Sequence, residues 1–184
     1  MLFATSIGVC IGVLITLFLP FTTEILQQKP SFYGSIISSF GVGGLFGGII
    51  CHLIAKKISL GRIIVTTVCF EVLMMFIWIK TTQPYISLVL LFIWGTLVFI
   101  RITAQLNYVS KFVDPHYLTR VHSLLDMSFN VPQILAGAFI GMIGGTVAVS
   151  TILGWNASLF MILILIICFL PGTRILLHKV SHKP

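Results

Sequence analysis

The amino-acid sequence predicts an all-α integral membrane protein whose six transmembrane helices form two inverted three-helix repeats. Composition is the first observation: 58% of the 184 residues are hydrophobic, only 8% are charged, and the mean hydropathy is +1.12. Soluble domains carry about a quarter charged residues, so this chain is built for lipid, and soluble enzyme classes are excluded. Run length is the second. A span needs about 20 apolar residues, which leaves room for about six spans with their turns. The runs are apolar on every face rather than alternating, which excludes a closed barrel; helices satisfy their own backbone bonds within each segment. The third observation is that the second and fifth spans, each the middle member of a triplet, are rich in glycine.

Taken in order, span one is Leu2 to Leu19, closed by Pro20. It lacks a basic n-region and a small-residue cleavage site, so it reads as a retained span and not as a signal peptide. Glu24 and Lys29 fall in the loop that follows. Span two opens near Tyr33 and runs without charge to Ala55, and Lys56, Lys57, Gly61 and Arg62 form a short basic hairpin. Span three, Ile63 to Ile79, is interrupted only by Glu71 and ends at Trp78 and Lys80. Pro84, at a position where a missing N–H costs nothing, opens span four, Tyr85 through Ile100 and on to Asn107, with Arg101 inside it. Lys111, Asp114, Pro115 and His116 make the next break. Span five runs from about Val121 to Ile143, Gly144 and Gly145 allow a tight reversal, and Val147 to Leu170 make span six, closed by Pro171 and Gly172. The transmembrane domain thus covers 1–172, and 173–184 form a basic tail suited to anionic lipid.

The formal charge of +7 reads as topology, because basic residues collect on cytoplasmic loops. Lys56, Lys57, Arg62, Lys111, Arg120, Arg174, Lys179 and Lys183 fall on one side, against Lys29 and Lys80 on the other. Both termini are therefore expected in the cytoplasm of a multi-pass protein of the cell membrane, with Trp78, Tyr85 and Trp155 anchoring at the outer interface. No basic stripe with interleaved aromatics exists to bind nucleic acid. Cys10, Cys51, Cys69 and Cys168 lie in four separate runs and read as buried reduced thiols.

Lipid gives helices no hydrophobic reason to associate, so small-residue faces decide where backbones approach. Gly43 with Gly47 and Gly44 with Gly48 make such a face in span two; Gly137, Gly141 and Gly145 repeat it in span five. Their matched placement is the sign of two inverted triplets, a plan common among transporters. The stretch Gly41 to Gly48 is not a phosphate cradle, having neither the Gly-Lys-Ser/Thr sequence nor a preceding strand.

A charge in hydrocarbon costs about 2.5 to 3.5 kcal/mol or more, so each one asks for a partner or a role. Arg101 descends on span four while Asp126, about 8 Å in from Val121, rises on span five from the same side. They are candidate ion-pair partners, as a gate or coupling element or as a structural pair near the interface. Glu71, about 13 Å beyond Arg62, is a candidate proton carrier or a buried carboxylic acid bonded to a neighbour. Thr103 with Asn107, near Gln105, and Asn130 with Gln133 are candidate cavity-lining groups, although polar groups in bundles commonly join helices. His122, Ser123 and Asp126 do not make a nucleophile, since Ser123 points away from the face the other two share. His116, His122 and Asp126 lack metal-ligand spacing. No enzyme activity, metal or cofactor is expected.

Two stretches carry a family resemblance. Gly44-Leu-Phe-Gly47-Gly48, followed by Lys56-Lys57-Ile58-Ser59-Leu60-Gly61-Arg62, resembles the cytoplasmic loop signature of the major facilitator superfamily, with Gly44, Gly48, Lys57, Gly61 and Arg62 as matching positions. Ile58 stands where that signature has an acidic residue. Asp114-Pro115 through Thr119-Arg120-Val121-His-Ser123, with Pro132 beyond, is similar to the start of the eleventh helix in the macrolide and siderophore efflux branch; Thr119 replaces its usual glycine. The resemblance implies helices seven to twelve of a twelve-helix transporter. It implies proton-coupled antiport of an amphipathic small molecule, in partnership with a complementary six-helix half or a second copy. The chain then either pairs with another half or is the product of a truncated or split gene, and Met1 at the very start of span one, with no central loop before it, fits truncation or a mistaken start. In such halves the third helix is peripheral, which argues against Glu71 as proton carrier. The alternative function is a six-span substrate-capture subunit of an energy-coupled vitamin importer, and a third is a non-transporting membrane scaffold or the inert remnant of a broken gene.

Overall fold

The computed structural model describes residues 2–143 and 147–169, with side chains for 4–143 and 147–162. Among the described residues the chain forms six long helices and no strand. They are α1 (Leu2–Pro20), α2 (Phe32–Ala55), α3 (Leu60–Ile79), α4 (Pro84–Phe112), α5 (Leu118–Ile143) and α6 (Val149–Phe169). Five helical segments, Ala4–Ile25, Phe32–Ala55, Leu60–Ile79, Pro84–Phe112 and Pro115–Ile143, are long and apolar enough to cross a membrane. The bundle is turned outward as a lipid solvent requires: Leu45, Ile49, Phe70, Leu73, Ile134 and Met142 are exposed. The reversal at Gly144 and Gly145, together with Pro171, Gly172 and the basic tail, lies outside the described residues.

Four boundaries differ from the sequence reading. Pro20 does not end span one: the chain continues through a π-helical turn, Phe21–Ile25, which takes Glu24 out of the loop. The hydroxyl of Thr22 donates to the Phe18 carbonyl at 2.7 Å, and that of Thr23 to the Leu19 and Pro20 carbonyls, so side chains support the backbone where the widened turn disturbs its ladder. Gln27 then ends the segment in a left-handed conformation at φ 51°. Gly61 and Arg62 belong to the first turn of α3, leaving only 56–59 as the hairpin. Helix α4 runs past Asn107 and carries Lys111 in its last turn. Helix α5 begins at Leu118 behind a 3-10 turn, Pro115–Tyr117, whose His116 N–H donates to the Asp114 carboxylate at 2.9 Å.

Packing is organised by pairs. Helix α2 lies most extensively against α4 and α1 against α5; α3 packs on α4, α6 on α1, and α3 touches α6. Glycine sets the two closest crossings. A Cβ at Gly43 would run into the Phe92 carbonyl, at Gly47 into that of Thr96, and at Gly95 into that of Phe40. Across the other pair, Gly8 faces the Phe129 carbonyl and Gly12 that of Gln133. Hydrogen bonds then fix register: Thr96 Oγ1 donates to the Gly43 carbonyl at 3.0 Å, Ser39 Oγ to that of Leu88 at 2.7 Å, and Asn156 Nδ2 to that of Cys10 at 3.1 Å.

Trp78 is not an interfacial anchor. It is fully buried, donates its indole N–H to Ser87 Oγ at 2.8 Å, and packs against Phe18, Phe21 and Trp94. Tyr85 and Trp155, by contrast, are exposed. Cys10 and Cys51 are buried, whereas Cys69 is exposed.

Glycines sharing a spacing are thus unequal. Gly41 and Gly141 face open space. Gly43→Leu and Gly12→Leu should each destabilise the protein by about 1–3 kcal/mol, because backbone must move to admit the side chain. Gly41→Leu and Gly141→Leu should stay within about 0.5 kcal/mol. Thermal unfolding in detergent checks this; equal losses at all four positions would contradict the packing.

Candidate functional site

Among the described residues Arg101 and Glu71 are the charged ones buried in the bundle, and they meet. Arg101 Nε donates to Glu71 Oε1 at 2.7 Å, with side chains 3% and 2% exposed, the one ion pair found among the described residues. The sequence reading paired Arg101 with Asp126; in the structure Arg101 turns to α3 instead, and Asp126 is exposed on α5. The reason is geometric. Trp78 bonded to Ser87 sets the register of α3 against α4, which leaves Glu71 and Arg101 about 10 Å apart along the axis by the rise per residue. In antiparallel helices each side chain leans toward its own N-terminus, so these two lean toward each other and close the gap.

Two cavities meet at the pair. A cleft of about 260 Å³, of mixed polar and apolar lining, is bounded by Ala4 and Ile7 of α1, Arg101 and Gln105 of α4, and His122, Asp126 and Asn130 of α5, among others. A nearly apolar chamber of about 360 Å³ lies between α1, α2, α4, α5 and α6, walled by side chains such as Phe18, Phe40, Trp94 and Phe160. Ile102 and Phe129 line both. Arg101 lines the cleft and Glu71 the chamber, so the ion pair lies where the two cavities adjoin.

Not every candidate reaches these spaces. Asn130 lines the cleft, although its Nδ2 donates to the Asp126 carbonyl at 2.9 Å, and Gln133 lines the chamber. Thr103 and Asn107 line neither: at 100° per residue they sit on the opposite side of α4 from Arg101 and Gln105. Gln105 is the polar group that α4 contributes. In the loop stretch, Gly44 lies against the Phe99 ring, Gly48 faces open space, Gly61 is buried, and Lys57 and Arg62 are exposed.

Sequence reasoning missed Gly8, Gly12 and Gly95, although Gly8 and Gly12 have the same four-residue spacing as the glycines it used. It also missed Trp94. The Trp94 indole N–H and Arg101 Nη2 are both buried without a hydrogen-bond partner, one on each cavity. Comparison with family models, curated protein sequences and solved structures gave no match.

Removing one partner of a buried pair strands the other. Glu71→Leu leaves a guanidinium that cannot shed its proton and should cost about 3–5 kcal/mol. Arg101→Leu leaves a carboxyl that can take up a proton, so it should cost less. The double variant should recover most of the loss. Unfolding of the three variants in detergent measures this; simple additivity would show that the pair is not coupled.

Proposed function

We propose that the chain is one six-helix half of an efflux-type secondary transporter of the major facilitator kind, exporting amphipathic small molecules by proton-coupled antiport. Helix packing carries this reading. Exchanging the triplet α1–α2–α3 with α4–α5–α6 turns the α1/α5 contact into α4/α2 and α1/α6 into α4/α3, and leaves α3/α6 as it is. The glycine crossings follow the same exchange, since Gly8 and Gly12 of α1 approach α5 as Gly95 of α4 approaches α2. That pattern is what two inverted repeats require. The motifs around Gly61-Arg62 and Arg120-Val121 add the family, and the basic residues of the loops favour both termini on the cytoplasmic side of the plasma membrane.

In this reading the first helix of each triplet, α1 and α4, lines both cavities, and the outward faces of α2 and α5 meet the second half or a second copy. The cleft and chamber together offer an amphipathic ligand a polar end and an aromatic body. Glu71 is the proton-exchanging group, coupled to the cavities through Arg101. The third helix of the half is peripheral in this family, but Glu71 reaches inward from it to the chamber wall.

Affinity purification from native membranes, followed by reconstitution of the recovered assembly, tests the proposal. The expected assembly holds a second six-helix unit and moves a fluorescent amphipathic dye against proton flow, and Glu71→Gln uncouples the dye from the gradient. Recovery with an ATPase partner and tight capture of a soluble vitamin would overturn it in favour of a substrate-capture subunit.

A further inference from the structure

We infer that the ligand of the two cavities is an amphipathic organic anion, its carboxylate held by the unpartnered arm of Arg101 in the cleft and its apolar body seated in the aromatic chamber. This names the substrate class of the site proposed above and so rests on that reading.

The first observation is the unused donor. A guanidinium has five N–H donors and no acceptor, and Arg101 spends Nε on Glu71 while Nη2, buried, has no partner. Native proteins rarely leave a charged donor in that state, so its vacancy on a cavity wall marks where an acceptor belongs. The second is that the chamber repeats the demand. Trp94 presents a buried, unpartnered N–H, again a group that can only donate. Both groups therefore call for acceptors, which a carboxylate supplies in a charge-assisted bond to Arg101.

Sign and shape select among acceptor-bearing molecules. Groups facing Arg101 across the cleft are His122 and Asp126 of α5, with Gln105 of its own helix; Glu71 of α3 already engages it from behind. Asp126 is exposed at the cleft, whereas Arg101 is 3% exposed and keeps a buried N–H unpaired beside its bond to Glu71, so the unsatisfied group is a charged donor and not an acceptor. The chamber, with Phe18, Phe40, Phe99 and Phe160 on its walls, takes an aryl or alkyl body, and Ile102 and Phe129, which line both cavities, set that body next to the cleft. A ligand carboxylate on that arm shares the guanidinium with Glu71, so two negative groups lean on one cation and repel each other across it.

Phenylbutyrate, phenylbutanol and phenylbutylamine share one body and differ in head group. Binding of each to the chain in lipid nanodiscs, read by tryptophan fluorescence and calorimetry, is the test. Phenylbutyrate should bind about tenfold tighter than the other two, and Glu71→Gln should tighten it further. The double variant Glu71→Gln/Arg101→Gln, which strands no buried charge, should bring phenylbutyrate down to the level of the alcohol. Trp94→Phe should weaken the acid and the alcohol alike. Equal binding of acid and alcohol, or a preference that survives in the double variant, overturns the anion assignment and leaves the small-molecule site standing. Preference for the amine overturns it in favour of Asp126. Failure of all three to bind removes the site itself and the transport reading with it.

Discussion

A guanidinium and a carboxylate share the interior of a largely apolar bundle, and much of the arrangement of α3, α4 and the two cavities follows from their having to meet. Neither group has water to turn to, and each is worth keeping only while the other is in place. The Trp78–Ser87 bond near one end of the α3/α4 interface and the Glu71–Arg101 bond further along it hold that interface in a single register. A slip by one turn would break both. The lean of side chains toward helix N-termini makes this register possible in an antiparallel pair, because it spans an axial offset that straight side chains would leave open.

Glycine does the complementary work. At Gly43, Gly47 and Gly95 the backbones of α2 and α4 touch, and at Gly8 and Gly12 those of α1 and α5 do. Drawing these pairs together leaves α1 and α4 on opposite walls of the chamber, joined to one another through neighbours. Close packing in two places thus creates open volume in a third. The ion pair sits at the edge of that volume, with Arg101 facing the cleft and Glu71 the chamber.

Much of this was legible in the chain. Apolar run length placed spans two, three and four within a few residues of the observed helices, and Pro84 marked the start of α4 as its chemistry demands. Proline misled at Pro20, where threonine hydroxyls let the helix continue. Trp78 has the composition of an interfacial anchor, and only the packing of α1 and α4 around it reveals a core residue. Depth along the sequence gave Arg101 a reachable partner in Asp126; it could not give the direction in which the guanidinium leans, which decided for Glu71. Glycine spacing identified faces on the second and fifth spans but not which glycines a neighbour would occupy, since Gly47, against the Thr96 carbonyl, and Gly48, facing open space, look alike until α4 is placed. Gln105 rather than Thr103 and Asn107 reaches the cleft for a similar reason: a two-residue offset on a helix turns a side chain to the far side.

The central claim is the partnership of Arg101, and solid-state NMR in lipid bilayers measures it directly. With Arg101 labelled at nitrogen and the carboxyl carbons of Glu71 and Asp126 labelled at carbon, the account predicts a strong dipolar coupling between Arg101 Nε and the Glu71 carboxyl carbon, matching the 2.7 Å contact to Oε1. A coupling to the Asp126 carboxyl in its place, or none to Glu71, would contradict the register of α3 on α4 and the partition between the two cavities.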